Sequence, residues 1–115
     1  MKIEKSWWAN IYVGRYCKET KKTYGYQTLK KVCEDYCNEI GFCVTISSTT
    51  FIYTNGKEPG VVVGCIQYPR FPLPDEQNRQ RAIELAKRLM KATNQYRVSI
   101  VMTDEVVMLE REIDL

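Results

Sequence analysis

The pattern of apolar residues predicts an α+β fold of β-α-β-β-α-β order, with two helices on one face of a mainly antiparallel sheet of four to five strands. Three observations carry this. Trp7 to Cys17 alternates with a period of two. Tyr26 to Ile40 repeats apolar residues at i, i+3, i+4 and i+7. Phe42 to Tyr68 holds two runs rich in β-formers around an Asn-Gly turn signal. With 115 residues, 44% of them hydrophobic and 27% charged, residues 1–115 are expected to form one ligand-binding domain around one core.

In the first strand Trp7, Ala9, Ile11, Val13 and Cys17 point one way, and Trp8, Asn10, Tyr12 and Tyr16 the other. Lys18 to Gly25 reads as a charged connection. In the first helix Leu29, Val32, Cys33, Tyr36, Cys37 and Ile40 form the apolar stripe, and Gly41 is placed to end it in the left-handed conformation. Phe42 to Tyr53 is the second strand, 54–60 a turn, and Val61 to Tyr68 the third. That third strand is apolar on both faces, which places it inside the sheet, and Gly64 within it permits a close approach to the backbone. Three prolines stiffen Tyr68 to Pro74, after which Asp75 is the expected N-cap of a second helix running to about Thr93. Its buried stripe is Ala82, Ile83, Leu85, Ala86, Leu89 and Met90, while Gln77, Arg81, Glu84, Arg88 and Lys91 fall on a solvated outer face. Tyr96 to Thr103 is a fourth strand and Val106 to Leu109 a fifth. A sheet face carrying Trp8, Tyr12 and Tyr16 exposes enough apolar area to predict a homodimer or higher homo-oligomer.

Composition excludes several classes. The longest wholly apolar run, Val61 to Val63, falls far short of the ~20 residues that cross a bilayer, and the first residues lack a signal-peptide core. No membrane partner and a cytoplasmic location are expected. Five cysteines make an odd set that favours reduced, buried thiols over a disulfide framework. Without histidine or a Cys-x-x-Cys pair, no metal site is assembled. A net charge of +3 suits a phosphorylated small molecule at least as well as a polymer.

No catalytic set is legible either. Histidine, the usual base near neutrality, is absent. Glu34-Asp35 and Asp104-Glu105 read as a solvated helix face and a turn, and a cysteine nucleophile lacks its imidazole. Dinucleotide-binding and phosphate-loop glycine motifs are absent, and no cofactor is implied. The expectation is therefore a binding protein and not an enzyme.

The informative segment is Tyr68 to Arg81. Asn78 and Arg79 sit in the first turn of the second helix on its core-facing half, where they either overhang the sheet edge into water or face a ligand. A helix N-terminus and arginine forks favour phosphate. Tyr68 and Phe71 offer rings for stacking on a base, or else anchor the proline-rich turn. Arg97, Asn10 and Arg15 are polar insertions in apolar strands, explained equally by exposure at an edge. With Arg70, the candidate ligand-binding set is Tyr68, Arg70, Phe71, Asn78, Arg79, Arg97, Asn10 and Arg15.

Three runs, Trp8-Ala9-Asn10-Ile11-Tyr12-Val13-Gly14, Phe51 to Val61, and Tyr68-Pro69-Arg70-Phe71-Pro72, resemble the first-described type of Thoeris anti-defence protein of phages, over most of the chain. The resemblance implies a sponge that binds a cyclic ADP-ribose isomer made by a bacterial TIR-domain defence enzyme. It allows cyclic di- or trinucleotides at separate sites in higher assemblies. It also implies pockets between protomers built from an aromatic residue, an asparagine and arginines, for which Tyr68 or Phe71, Asn78 and Arg97 are the matches here. The β-α-β-β-α-β order is equally that of the RNA-recognition motif, and Tyr12 and Tyr16 suit its base-stacking face. Yet Val61 to Tyr68 lacks that family's aromatic signature, so no nucleic-acid polymer is expected. A small nucleotide-processing enzyme is the remaining alternative.

Overall fold

The computed structural model describes residues 1–111. Five strands form one antiparallel sheet: β1 (Trp8–Gly14), β4 (Thr45–Tyr53), β5 (Gly56–Ile66), β6 (Arg97–Met102) and β7 (Val106–Glu110), in the spatial order β4-β5-β1-β6-β7. The first strand, expected to run from Trp7 to Cys17, ends at Gly14; its expected tail, β2 (Tyr16–Cys17), pairs instead with β3 (Lys22–Thr23) of the charged connection in a separate small hairpin. Helices α1 (Tyr26–Ile40) and α2 (Asp75–Ala92) lie on one face of the main sheet. Counting β1, β4, β5 and β6 alone, the order is the 2-3-1-4 arrangement of a ferredoxin-like layer, with β7 added at the edge.

Alternation decides which side is core. Ala9, Ile11 and Val13 of β1, Val61, Val63 and Cys65 of β5, and Val98, Ile100 and Met102 of β6 face the helices and are essentially buried. Leu29, Cys33 and Tyr36 of α1 and Ala82, Leu85, Ala86 and Leu89 of α2 close over them. Ile83 and Met90 are only partly buried at the margins of this stripe. Tyr36 is fully buried because its hydroxyl donates to the Arg81 carbonyl at 3.2 Å, and burial pushes its phenol up to about 12. The opposite face, with Trp8, Asn10, Tyr12, Val62, Ile66, Val101, Val106 and Met108, carries no helix.

Local chemistry explains where elements stop. Gly41 ends α1 at φ 71°, its N–H bonding the Cys37 carbonyl at 2.9 Å, as the sequence suggested. At α2 the cap is Pro74, not Asp75, which is the first helical residue; proline's fixed φ, here −55°, with ψ at 143° suits this entry, and the acidic Asp75 and Glu76 complement the helix dipole instead. The 54–60 turn shrinks to a tight hairpin in which Asn55 adopts φ 60° and β5 begins at Gly56. Pro59 sits inside β5 without cost to the ladder. Its carbonyl accepts from Arg15 N–H at 2.9 Å, so the face that lacks a donor lies beyond the end of β1. At Gly64 the close approach comes from within the protein: a Cβ there would stand 2.6 Å from Thr45 Oγ1 of the neighbouring strand.

Arg88, expected on a solvated face, joins the helices instead. Its guanidinium lies 4.7 Å from the Tyr36 ring centroid and pairs with Glu39 of α1 and Glu84 of α2. The hydrogen bond from Arg88 holds the exposed Glu39 carboxyl below the usual range. A depressed carboxyl contributes stability above its ordinary pKa that is lost as pH falls through the folded value. In Arg88→Ala, Glu39 should titrate at a higher pH than in the parent protein, as read by carboxyl carbon NMR. Among the described residues no helix is long and apolar enough to cross a membrane. A second expectation concerns Gly60, over which the Phe51 ring packs: a Cβ would stand 2.6 Å from the Val13 carbonyl oxygen. Gly60→Ala should destabilise by about 1–3 kcal/mol in urea unfolding.

Candidate functional site

The end of β5, the proline-rich turn and the first turns of α2 enclose a cavity of about 650 Å³ lined by Tyr68, Arg70, Phe71, Asn78, Arg81, Phe42 and Cys43, with Gly41, Ile66 and Leu73 completing it. Its size falls within the range of small-molecule pockets, and most of its wall is apolar. The turn is held by one side chain. Gln67 donates from Nε2 to the Leu73 carbonyl at 2.7 Å and accepts the Leu73 N–H on Oε1 at 2.9 Å, a carboxamide imitating a backbone pair. Asn78 Nδ2 donates to Gln67 Oε1 at 3.2 Å.

Asn78 is therefore buried and does not reach water. Its amide is spent on positioning the turn, so it contributes to the pocket wall through that network. Tyr68 is half-buried, and its hydroxyl accepts from the Cys43 thiol at 3.1 Å. That contact, followed by burial, pushes the Tyr68 phenol up to about 12, so it stays protonated at neutral pH. Phe71 is 68% exposed, too much for an anchor, with the Arg70 guanidinium 5.2 Å from its ring centroid. Arg81 crosses the pocket margin 5.6 Å from the Phe42 ring centroid and donates to the Gly41 carbonyl at 3.4 Å.

The other candidates lie elsewhere. Arg79 pairs with Glu105 and Glu76 in a separate cavity whose acidic wall also includes Asp75 and Asp104. Hydrogen bonding to Glu105 raises the guanidinium's pKa, so Arg79 remains charged and already partnered. Arg97 lines a cavity of about 580 Å³ at the β2–β3 end with Tyr16, Glu58, Tyr96 and Arg111, and pairs with Glu110 at 3.6 Å. Arg15 donates from Nη1 to the Tyr24 carbonyl at 2.8 Å, steadying the small hairpin, while its buried Nε has no protein partner. Asn10 stands on the open sheet face between Gly64 and Val101. Thus Tyr68, Arg70, Phe71 and Asn78 share one pocket, and Arg79, Arg97, Asn10 and Arg15 do not join them within one chain.

Three pocket residues, Phe42, Cys43 and Arg81, were not singled out from the sequence. Arg81 sits on the helix flank that a wheel assigns to solvent, and only the fold-back after Gly41 gives it a wall to line. Among the described residues no group of three or more cysteine or carboxylate side chains is placed to hold a metal ion.

No protein-family model matches this sequence, and no curated protein matches it. Solved structures do. A phage SAM lyase in its apo state superposes with a TM-score of 0.81 at 19% identity, covering 95% of this chain and 92% of that one. A phage SAM lyase in complex with S-methyl-5′-thioadenosine gives 0.78 at 18% identity, over 92% and 90% of the two chains. The de novo designed protein Foldit4 gives 0.50 at 13% identity, over 88% and 99%. These likenesses establish the shared fold. They also correct the expectation of a protein without catalytic activity, because the fold is one that an enzyme, a lyase, uses. The physical error lay in scope: lacking histidine and a carboxylate pair argues only against reactions that need a protein group titrating near neutrality.

Proposed function

We propose that this chain binds a cyclic ADP-ribose isomer in the Tyr68–Arg81 pocket, and so draws down a signal of TIR-domain defence on behalf of a phage. One observation carries the reading: two guanidiniums, Arg70 and Arg81, border a largely apolar cavity that no carboxylate lines. A diphosphate brings two negative charges and matches arginine forks, while Tyr68, Phe71 and Phe42 give an adenine apolar walls. The resemblance of Tyr68-Pro69-Arg70-Phe71-Pro72 and the Phe51–Val61 hairpin to Thoeris anti-defence proteins points to the same ligand.

The shared fold favours a second reading, cleavage of S-adenosylmethionine to S-methyl-5′-thioadenosine. Such a reaction asks little of a protein, since a sulfonium departs as a neutral thioether and the substrate's own carboxylate can attack the carbon it leaves. Against it, two guanidiniums oppose a sulfonium cation. Both ligands carry adenosine, so the same aromatic walls serve either.

The open sheet face, with Trp8 37%, Ile66 47%, Val106 66% and Met108 55% exposed, supports the further reading that two copies pair. Arg97, exposed on that face, does not line the Tyr68 pocket of its own chain and would meet one only in the second copy.

Titration calorimetry at about 0.15 M salt should give saturable binding of a cyclic ADP-ribose isomer. Phe71→Ala should weaken it by about 1–3 kcal/mol, the worth of one stacked base, and Arg81→Ala at least tenfold. Heat-denaturing the complex and weighing the recovered ligand tells whether it was altered. Formation of S-methyl-5′-thioadenosine from S-adenosylmethionine would establish the second reading, and silence towards both ligands would remove both. In sedimentation, Met108→Glu should shift the protein towards monomer; an unchanged profile would discard the pairing.

A further inference from the structure

Four of the five cysteines gather where α1 meets the sheet. Cys33 and Cys37 project from α1, Cys65 from β5, and Cys43 from the loop between α1 and β4, and none is bonded to another. Cys33, Cys37 and Cys43 line one cavity of about 400 Å³, and Cys43 also lines the adjoining Tyr68 pocket. Phe42 and Cys43 are thus the partition between the two. Cys43 is exposed, Cys37 half-buried, and Cys33 and Cys65 are buried.

The chain between Cys37 and Cys43 folds back on the end of α1. Gly41 turns left-handed, and the Phe42 N–H returns to the Cys37 carbonyl at 3.1 Å, folding residue 42 back over the last turn of the helix. The Cys43 thiol meanwhile donates to Tyr68 at 3.1 Å on the pocket side of the partition. Cys43 therefore bonds a phenol in the pocket and shares the second cavity with the Cys37 thiol of the helix.

We propose that Cys37 and Cys43 form a reversible disulfide that takes Cys43 away from Tyr68 and reshapes the ligand pocket, making it sensitive to redox poise. The chemistry is exchange with a low-molecular-weight disulfide. The exposed Cys43 thiolate attacks one sulfur of that disulfide and releases one small thiol. Cys37, as thiolate, then displaces the second small thiol from the mixed disulfide. Two protein thiols lose their protons and are oxidised, while one small disulfide is reduced to two thiols. The second step is slow near neutrality, because burial keeps the Cys37 thiol protonated. A mildly alkaline buffer hastens it. The pocket is that of the proposed ligand, so the effect on affinity rests on that reading, whereas the bridge and its effect on Tyr68 do not.

The full chain is equilibrated in glutathione buffers of graded ratio, free thiols are alkylated, and peptides are mapped by mass. In parallel the Tyr68 ring carbon is followed by NMR, assigned with Tyr68→Phe. Oxidised protein should yield one bridge, Cys37 with Cys43, whose peptides lack the two alkyl groups that the same cysteines carry in reduced protein. The Tyr68 titration midpoint should fall from about 12 towards the ordinary 10.0. Cys37→Ser should show neither change while keeping the thiol–phenol contact. Cyclic ADP-ribose isomer should bind the bridged protein at least fivefold more weakly than the reduced one. A bridge involving Cys33 or Cys65, glutathione retained on Cys43 without a bridge, or a bridged protein with an unmoved Tyr68 signal would each overturn the proposal. If reduced protein binds no cyclic ADP-ribose isomer, the ligand reading fails, and the peptide map and Tyr68 signal still decide the switch.

Discussion

The candidate site depends on the Gln67 carboxamide. Donating to and accepting from the same residue, Leu73, it closes a five-residue turn containing two prolines, in which proline nitrogens cannot supply donors. Phe71 N–H to the Tyr68 carbonyl at 3.0 Å is the main-chain bond inside the turn. Everything at the pocket mouth inherits its position from this pair: Tyr68 one residue after Gln67, Arg70 and Phe71 at the tip, and α2 entered one residue beyond Leu73 through Pro74. Buried Asn78 ties the helix back to the same oxygen, so strand end, turn and helix start form one unit of shared hydrogen bonds.

Charge then selects among ligands that the shape would admit. Of the three arginines nearest the site in sequence, Arg79 has carboxylate partners and is electrostatically spent. Arg70 and Arg81 instead rest on aromatic rings, contacts that leave guanidinium edges free to donate. The pocket is therefore positive because carboxylates were kept out of it, while Asp75, Glu76, Asp104 and Glu105 are gathered beyond the other side of the same helix turn.

The fold was legible because its signals are periodic and local. The stripe of α1 and the alternation of β1 each identify a buried face without reference to the rest of the chain, and Gly41 marks its own cap. Elements were misjudged where one bond decides. Pro59 argued for a turn, and only the orientation of its carbonyl towards Arg15 shows that a strand passes through it. The site was half legible. Tyr68, Arg70, Phe71 and Asn78 are close in sequence and so remain close in space. Phe42, Cys43 and Arg81 reach the pocket through the packing of the loop after α1 against the start of α2, which leaves no periodic trace. Arg97 and Arg15 looked alike as charges in strands, yet one is exposed beside Glu110 and the other is folded onto the Tyr24 carbonyl.

The place of β1 at the centre of the sheet has a consequence for synthesis. β1 leaves the ribosome before both of the strands it pairs with, β5 on one side and β6 on the other, the latter some ninety residues later, with Ala9 opposite Met102. Until β6 emerges, β1 keeps an unpaired edge beside two tryptophans, while β4 and β5 can already form their local hairpin. A nascent chain therefore carries its stickiest edge until β6 has been made, and a stop between β1 and β6 leaves that edge open to another chain.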